Sequence, residues 1–136
     1  MNGRVLLVEG DDAVRENFRA LADAGYNIIE AGSIKTALMH LDVLDLSCVV
    51  LDLRLPNGHG RRVVEELKAK RDDVPVIILS SFHADEEWDF PVIKALEKPV
   101  NTEALVECVE KAFNQSEAIR SLRESTRRMQ NYTVIA

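Results

Sequence analysis

Four polar residues of complementary chemistry stand at or just after the ends of short apolar runs in this 136-residue chain. They are Glu9, Asp52, Ser80 and Lys98, which together carry two carboxylates, a hydroxyl and an ammonium group. An ionised carboxylate that is taken out of water needs a cation, a metal ion or several hydrogen-bond donors to offset its desolvation. A cluster of these four groups would meet that need, so the question is whether the fold brings them together.

The run Cys48–Leu51 leads directly into Asp52, and the turn sequence Pro56-Asn57-Gly58 follows a few residues later. A continuous apolar run of this length, bounded by turn residues, is typical of a strand buried on both faces of a parallel sheet. Asp52 is therefore predicted at the carboxyl end of a central strand. Open α/β sheets bind their ligands at that edge.

Further strand and helix signals alternate along the chain. The other predicted strands are Val5–Val8, Tyr26–Glu30, Val76–Leu79 and Val92–Leu96. The first helix is predicted to begin at Asp11 or Asp12 as its N-cap and to end at Gly25. Later helices are predicted to begin after Ser33 and after Asn101 or Thr102 as their N-caps. Alternation of this kind predicts a parallel sheet with helices on both faces, and right-handed crossovers place all strand carboxyl ends on one edge. The four polar residues are expected to meet there.

With these residues in place, the chain resembles the response regulator receiver domain of two-component signalling. The resemblance runs from about Val5 to Phe113, and its strongest segments are Leu51–Gly60 and Glu97-Lys98-Pro99. It implies a flavodoxin-like fold with a five-stranded parallel sheet in the order 2-1-3-4-5. It also implies that Asp52 accepts a phosphoryl group from a histidine kinase or phosphotransfer protein.

The same resemblance implies roles for the residues around Asp52. Lys98 would bind a phosphoryl oxygen, Ser80 would donate its hydroxyl to it, and the Lys98–Pro99 peptide would be cis. These roles suit phosphoryl transfer, where catalysis consists mostly of positioning and of cationic and hydrogen-bond stabilisation. The protein would not be an enzyme beyond Mg²⁺-assisted phosphorylation and dephosphorylation of Asp52 itself.

The implied Mg²⁺ ligands are Glu9, Asp52 and the backbone carbonyl of Arg54. Mg²⁺ prefers hard oxygen ligands and keeps several waters, so one or two carboxylates and a carbonyl suffice. The family normally has two adjacent acids after the first strand, whereas this chain has Glu9 followed by Gly10. Either Glu9 binds the metal directly, or Asp11 replaces the missing ligand, or metal binding is weak or absent.

Two further departures concern the segment that links Ser80 to Lys98. It is shorter than the family norm and contains Pro91, which predicts a fourth helix that is short, irregular or missing, its gap filled by Trp88 and Phe90. Ala95 stands where the family commonly has a Tyr or Phe that changes rotamer on phosphorylation. The usual aromatic switch is therefore absent.

Composition limits the remaining function classes. A net charge of −6 argues against direct binding of nucleic acid or of an anionic membrane surface by this chain. Neither a signal peptide nor an apolar stretch of membrane-spanning length is present, which predicts a cytoplasmic protein. Cys48 and Cys108 are expected to be reduced core thiols.

The last segment, residues 116–136, is predicted to extend the final helix beyond a receiver domain at residues 1–115, to about Met129. Its four arginines outnumber its two glutamates, so it is net basic on an acidic protein. It is interpreted either as a helix that forms a homodimer or as a linker to an output domain. If there is no output domain, a downstream protein would receive the signal.

Two functions compete on this sequence. The first is a phospho-accepting receiver, favoured by Asp52, Ser80 and Lys98. The alternative is a pseudo-receiver that acts as a protein-interaction module without phosphorylation, favoured by Gly10, Ala95 and the shortened segment before Lys98.

Overall fold

Strands and helices alternate through the parts of the chain that the structure, a computed structural model, describes: residues 3–10, 14–43, 45–55, 58–71, 73–80 and 92–131. The strands are β1 (Arg4–Val8), β2 (Asn27–Ala31), β3 (Leu46–Asp52), β4 (Arg54–Leu55), β5 (Gly58–His59), β6 (Val76–Ser80) and β7 (Val92–Glu97). The helices are α1 (Val14–Asp23), α2 (Ile34–Met39), α3 (Arg61–Lys70) and α4 (Thr102–Asn131).

Five of these strands form one parallel sheet in the order β2-β1-β3-β6-β7, and β4 and β5 form a separate antiparallel pair. Numbered by the five sheet strands alone, this is the predicted order 2-1-3-4-5 of a flavodoxin-like fold. The register pairs Val8 with Leu51 and Asp52 with Leu79. The strand ends that carry the polar residues therefore lie side by side.

All seven residues of β3 are buried, which explains the continuous apolar run from Cys48 to Leu51 at its centre. Alternate side chains of a strand face opposite sides of a sheet, and two apolar clusters follow from this. Val49 and Leu51 pack with residues of α2 and α3, while Cys48 and Val50 pack with residues of α1 and α4. Burying each such Val or Leu contributes about 2 kcal/mol. Both faces of the sheet are therefore covered, as predicted.

The two cysteines are free and buried, as expected. Burial, with a smaller contribution from Cys108, raises the pKa of the Cys48 thiol. This thiol therefore stays neutral across the physiological pH range, where it packs as a small apolar side chain.

The helix signals in the sequence correspond to capping contacts. The Ser33 hydroxyl accepts a hydrogen bond from the Thr36 amide at 3.2 Å, before the first turn of α2. The Asn101 side chain accepts hydrogen bonds from the amides of Glu103 at 3.0 Å and Ala104 at 3.1 Å, at the start of α4. Gly25 has a φ of +95° just beyond α1, where a glycine is favoured.

Helix α4 runs for 30 residues without a break, and its middle is fastened to the start of β3. The buried Ser116 hydroxyl donates to the Ser47 carbonyl at 2.7 Å, and Arg120 Nη2 donates to the Leu46 carbonyl at 3.2 Å. Beyond these contacts, the side chains of Leu122 and Met129 are 68% and 75% exposed. The division of the chain into residues 1–115 and 116–136 stays a prediction.

The predicted fate of the fourth helix, with Trp88, Phe90 and Pro91, concerns residues 81–91, which lie outside the described residues. Along the described ranges, none of the helices has the length and apolar composition needed to span a membrane.

Candidate functional site

Asp52 and Lys98 form an ion pair at the carboxyl edge of the sheet. Lys98 Nζ lies 2.5 Å from Asp52 Oδ2, and the two side chains are 19% and 5% exposed. Asp52 is the last residue of β3, so its carboxylate leaves the core at the centre of the sheet edge. The ammonium group thus provides the counter-charge that a carboxylate so far removed from water requires.

The backbone around Lys98 fixes where its side chain begins. The Lys98 amide donates to the Ser80 carbonyl at 2.8 Å, which extends the pairing of β6 with β7 by one residue. The Lys98–Pro99 peptide is cis, as the resemblance implies. Asn101 then caps α4, so the chain passes from strand to helix within a few residues. Lys98 is thus held at the end of β7, which β6 separates from β3 in the sheet.

The loop after Asp52 folds back on that residue. The Arg54 amide donates to Asp52 Oδ1 at 3.0 Å, and the Gly60 amide donates to the Leu53 carbonyl at 2.7 Å. A Cβ atom at Gly60 would lie 2.7 Å from the Asp52 carbonyl oxygen, closer than real Cβ contacts allow. Gly60 therefore permits the close approach of the loop to β3. Sequence reasoning did not assign it this role, although its place directly before α3 was a signal.

Glu9 lies on the other side of Asp52 from Lys98. Val8 of β1 pairs with Leu51 of β3. Glu9 and Asp52 are the residues that directly follow this pair, one on each of the two neighbouring strands. Glu9 is 3% exposed, and its Oε1 accepts a hydrogen bond from Asn17 Nδ2 at 2.6 Å. The carboxylate is thus buried and oriented from helix α1.

Asn17 is the site residue that sequence reasoning missed. It is 3% exposed and belongs to the inward face of α1, four residues before the buried Leu21. A polar residue at helical spacing from an apolar core position was the available signal. Because buried polar groups are almost always hydrogen-bonded, such a residue indicates a partner inside the fold.

The other predicted site residues have less defined places. Ser80 ends β6 and is partly buried; the Arg54 side chain is exposed; and Gly10 is exposed directly after Glu9. Asp11 lies outside the described residues. The structure thus brings Asp52, Lys98, Glu9 and Ser80 to one edge of the sheet.

The donor set fits a hard cation. Glu9 directly follows β1 and Asp52 ends the neighbouring strand β3, so two buried carboxyl groups stand at adjacent strand ends. Carboxylate oxygen is a ligand that Mg²⁺ prefers. Within the described ranges, however, there is no group of three or more His, Cys, Asp or Glu side chains placed to hold a metal ion. The described residues therefore offer two carboxylates beside one ammonium group, which suits a divalent cation and an anionic group bound together.

Known proteins resemble this chain in sequence. The transcriptional regulatory protein FixJ of Bradyrhizobium diazoefficiens is 28% identical over 121 residues, which is 85% of this chain and 58% of FixJ. A cyclic di-GMP phosphodiesterase of Thermotoga maritima is 34% identical over 107 residues, 74% of this chain and 28% of that protein. This chain therefore spans little more than half the length of FixJ and 28% of the length of the phosphodiesterase.

Solved structures agree with the fold. The response regulator StyR superposes with a TM-score of 0.82 at 27% identity, over 96% of this chain and 69% of StyR. A CheY-like receiver domain from Methanospirillum hungatei gives a TM-score of 0.79 at 20% identity, over 87% of this chain and 98% of that one. The family model of the response regulator receiver domain matches residues 5–123. Because that match covers most of the sequence, the chain belongs to the family of response regulator receiver domains.

Proposed function

We propose that this chain is a phospho-accepting receiver of two-component signalling, in which Asp52 takes a phosphoryl group from a histidine kinase or phosphotransfer protein. The observation that carries the proposal is the buried contact of Asp52 Oδ2 with Lys98 Nζ at 2.5 Å. A carboxylate held beside an ammonium group at the ligand-binding edge is suited to accept a group that brings further negative charge.

Phosphoryl transfer to Asp52 takes place in one step. A carboxylate oxygen of Asp52 forms a bond to phosphorus while the bond from phosphorus to the donor imidazole nitrogen breaks, and that nitrogen keeps the electron pair. Lys98 then stabilises the phosphoryl oxygens by charge, and the Ser80 hydroxyl donates a hydrogen bond to one of them. No other substrate is proposed: the chemistry is limited to phosphorylation and dephosphorylation of Asp52.

Receiver domains generally bind Mg²⁺ for phosphorylation. We assign Glu9, Asp52 and the Arg54 carbonyl as its ligands here, with Asp11 as a further candidate. When bound, the metal would offset the negative charge of the incoming phosphoryl group. Since Gly10 offers no side chain, we expect weak metal binding.

The output of the signal is assigned to a partner that receives it through helix α4. FixJ is a transcriptional regulatory protein, and this chain spans 58% of its length. We propose that phosphorylation is relayed to a downstream protein or to an output domain joined to α4, in the cytoplasm where histidine kinases act. The exposed Leu122 and Met129 lie seven residues apart on α4, which also supports a homodimer through this helix.

The test is the intact mass of the protein after incubation with phosphoramidate, with and without Mg²⁺, for the native chain and for Asp52→Asn. The expected result is a Mg²⁺-dependent gain of one phosphoryl group that the variant does not show. Circular dichroism on both proteins establishes that they are folded. A folded native protein that gains no phosphoryl group under either condition would overturn the proposal and favour the pseudo-receiver that Gly10 and Ala95 suggest.

A further inference from the structure

We propose that Asn17 is a positioning residue that sets the metal affinity of this site by holding the carboxylate of Glu9. This inference rests on the proposed function, because the cation is the one assigned to Glu9 and Asp52. It concerns a residue of α1 that does not itself ligate the metal.

The first support is the contact itself. Asn17 Nδ2 lies 2.6 Å from Glu9 Oε1, and both residues are only 3% exposed. Hydrogen bonds to an ionised acceptor are short and strong, and burial strengthens them further. The contact joins two elements, α1 and the end of β1, so it fixes the carboxylate relative to the sheet.

The second support is the shortage of ligands on this side of Asp52. Gly10 follows Glu9, so no side chain at that position shares the work of ligation. A long glutamate side chain loses rotamer freedom when it binds a metal ion, and a hydrogen bond made beforehand removes much of that cost. Where one carboxylate must serve in place of two, its orientation matters more.

The third support is the chemistry of the amide. An asparagine amide donates to Glu9 without bringing a charge of its own, so it orients the carboxyl group and does not compete with a cation as a counter-charge. Partners that orient metal ligands in this way typically change metal affinity by about tenfold to a hundredfold when they are removed. If Asn17 served only as a hydrogen-bond donor to a buried glutamate, its removal would lower the stability of the protein and leave its metal affinity unchanged.

The experiment measures binding of Mn²⁺ to the full chain, followed by the electron paramagnetic resonance signal of free Mn²⁺, with Mg²⁺ as competitor. Mn²⁺ takes the same hard oxygen ligands. Asn17→Leu keeps the branching of the side chain and removes the donor, and Asn17→Ala serves if the larger leucine does not fit. We expect either variant to bind Mn²⁺ about tenfold more weakly than the native chain.

Ser116→Ala is the matched control. It also removes a buried hydrogen bond, the one of 2.7 Å to the Ser47 carbonyl, but near the start of β3, away from the sheet edge that carries Glu9 and Asp52. We expect it to lower stability and to leave Mn²⁺ affinity within about twofold of the native value. Equal Mn²⁺ affinity in a folded Asn17 variant would overturn the inference, as would a native chain that binds no Mn²⁺ at millimolar concentration.

The two proposals fail separately. If the native chain binds Mn²⁺ but Asp52 takes no phosphoryl group, the proposed function is wrong, and the titration still decides the role of Asn17. If Asp52 is phosphorylated but the Asn17 variants keep their Mn²⁺ affinity, only the inference about Asn17 is wrong.

Discussion

The two sides of Asp52 are built from different elements and keep different amounts of the family pattern. On one side, the ends of β6 and β7 bring Ser80 and Lys98 beside it, with a cis peptide after Lys98 and a capped helix next. On the other side, β1 brings Glu9, but the next acid is replaced by Gly10, and Asn17 from α1 holds the carboxylate. Ser80 and Lys98 are both present on the first side, whereas the second side has Gly10 in the place of the family's second acid and a buried asparagine beside Glu9.

This difference teaches how such a site can change in parts. Each side chain at the edge of a parallel sheet arrives from its own strand, so one strand end can lose a residue while the others keep theirs. The absence of an acid at position 10 leaves the contact between Asp52 and Lys98 in place. The comparison predicts that changes on the Lys98 side act on stability and phosphorylation, and changes on the Glu9 side act on metal binding.

The largest effect is expected from Lys98→Met. It leaves the carboxylate of Asp52 buried without its cation, and breaking one partner of such a pair costs about 3 kcal/mol of the free energy of unfolding. Urea unfolding measures this loss. Adding Asp52→Asn in the same chain should recover most of it, because the orphaned charge is gone. A Lys98→Met protein as stable as the native chain would show that the ion pair is not the partner that Asp52 requires.

The next effect is expected from Gly60→Ala, which puts a Cβ atom 2.7 Å from the Asp52 carbonyl oxygen. The neighbour is backbone and cannot swing away, so we expect a loss of about 2 kcal/mol in urea unfolding. Gly32→Ala is the matched control on the Glu9 side, where the nearest atom would be the Glu9 carbonyl oxygen at 3.9 Å. We expect its stability to stay within about 0.5 kcal/mol of the native value. Equal effects of the two changes would contradict the tight fold of the loop onto β3.

The smallest effect is expected from Gly10→Asp, which restores the second acid of the family. The added carboxylate repels Glu9 and Asp52 in the absence of metal. We expect the variant to bind Mg²⁺ about tenfold more tightly than the native chain does. At saturating Mg²⁺ this corresponds to about 1.4 kcal/mol more stabilisation than the native chain gains. Urea unfolding at several Mg²⁺ concentrations measures both quantities. No gain in Mg²⁺ affinity would mean that the Glu9 side is not a metal site.

Much of the fold was predictable because β3 and its neighbours β1 and β6 each contain a continuous apolar run. Short runs of this kind between turn residues are typical of strands buried on both faces of a parallel sheet. The meeting of Asp52 with Lys98 followed from topology alone, since parallel strands end at one edge. Asn17 was missed because one polar residue on a helix is common, and only burial shows that it has an inward partner. The close approach at Gly60 was missed because a backbone contact leaves no mark in the sequence beyond a glycine.

The fastening of α4 to β3 has a mechanical consequence. Ser47, which accepts the hydrogen bond from Ser116, and Asp52 belong to the same buried strand, about 17 Å apart. Past Ser116, the helix also contacts the Leu46 carbonyl through Arg120 and lies 3.8 Å from Asp73 Oδ2 through Arg123 Nη1. From Arg123 it continues for 8 further residues to Asn131, a length of about 12 Å. A tilt of the helix by about 10° at Arg123 would carry its last turn sideways by about 2 Å.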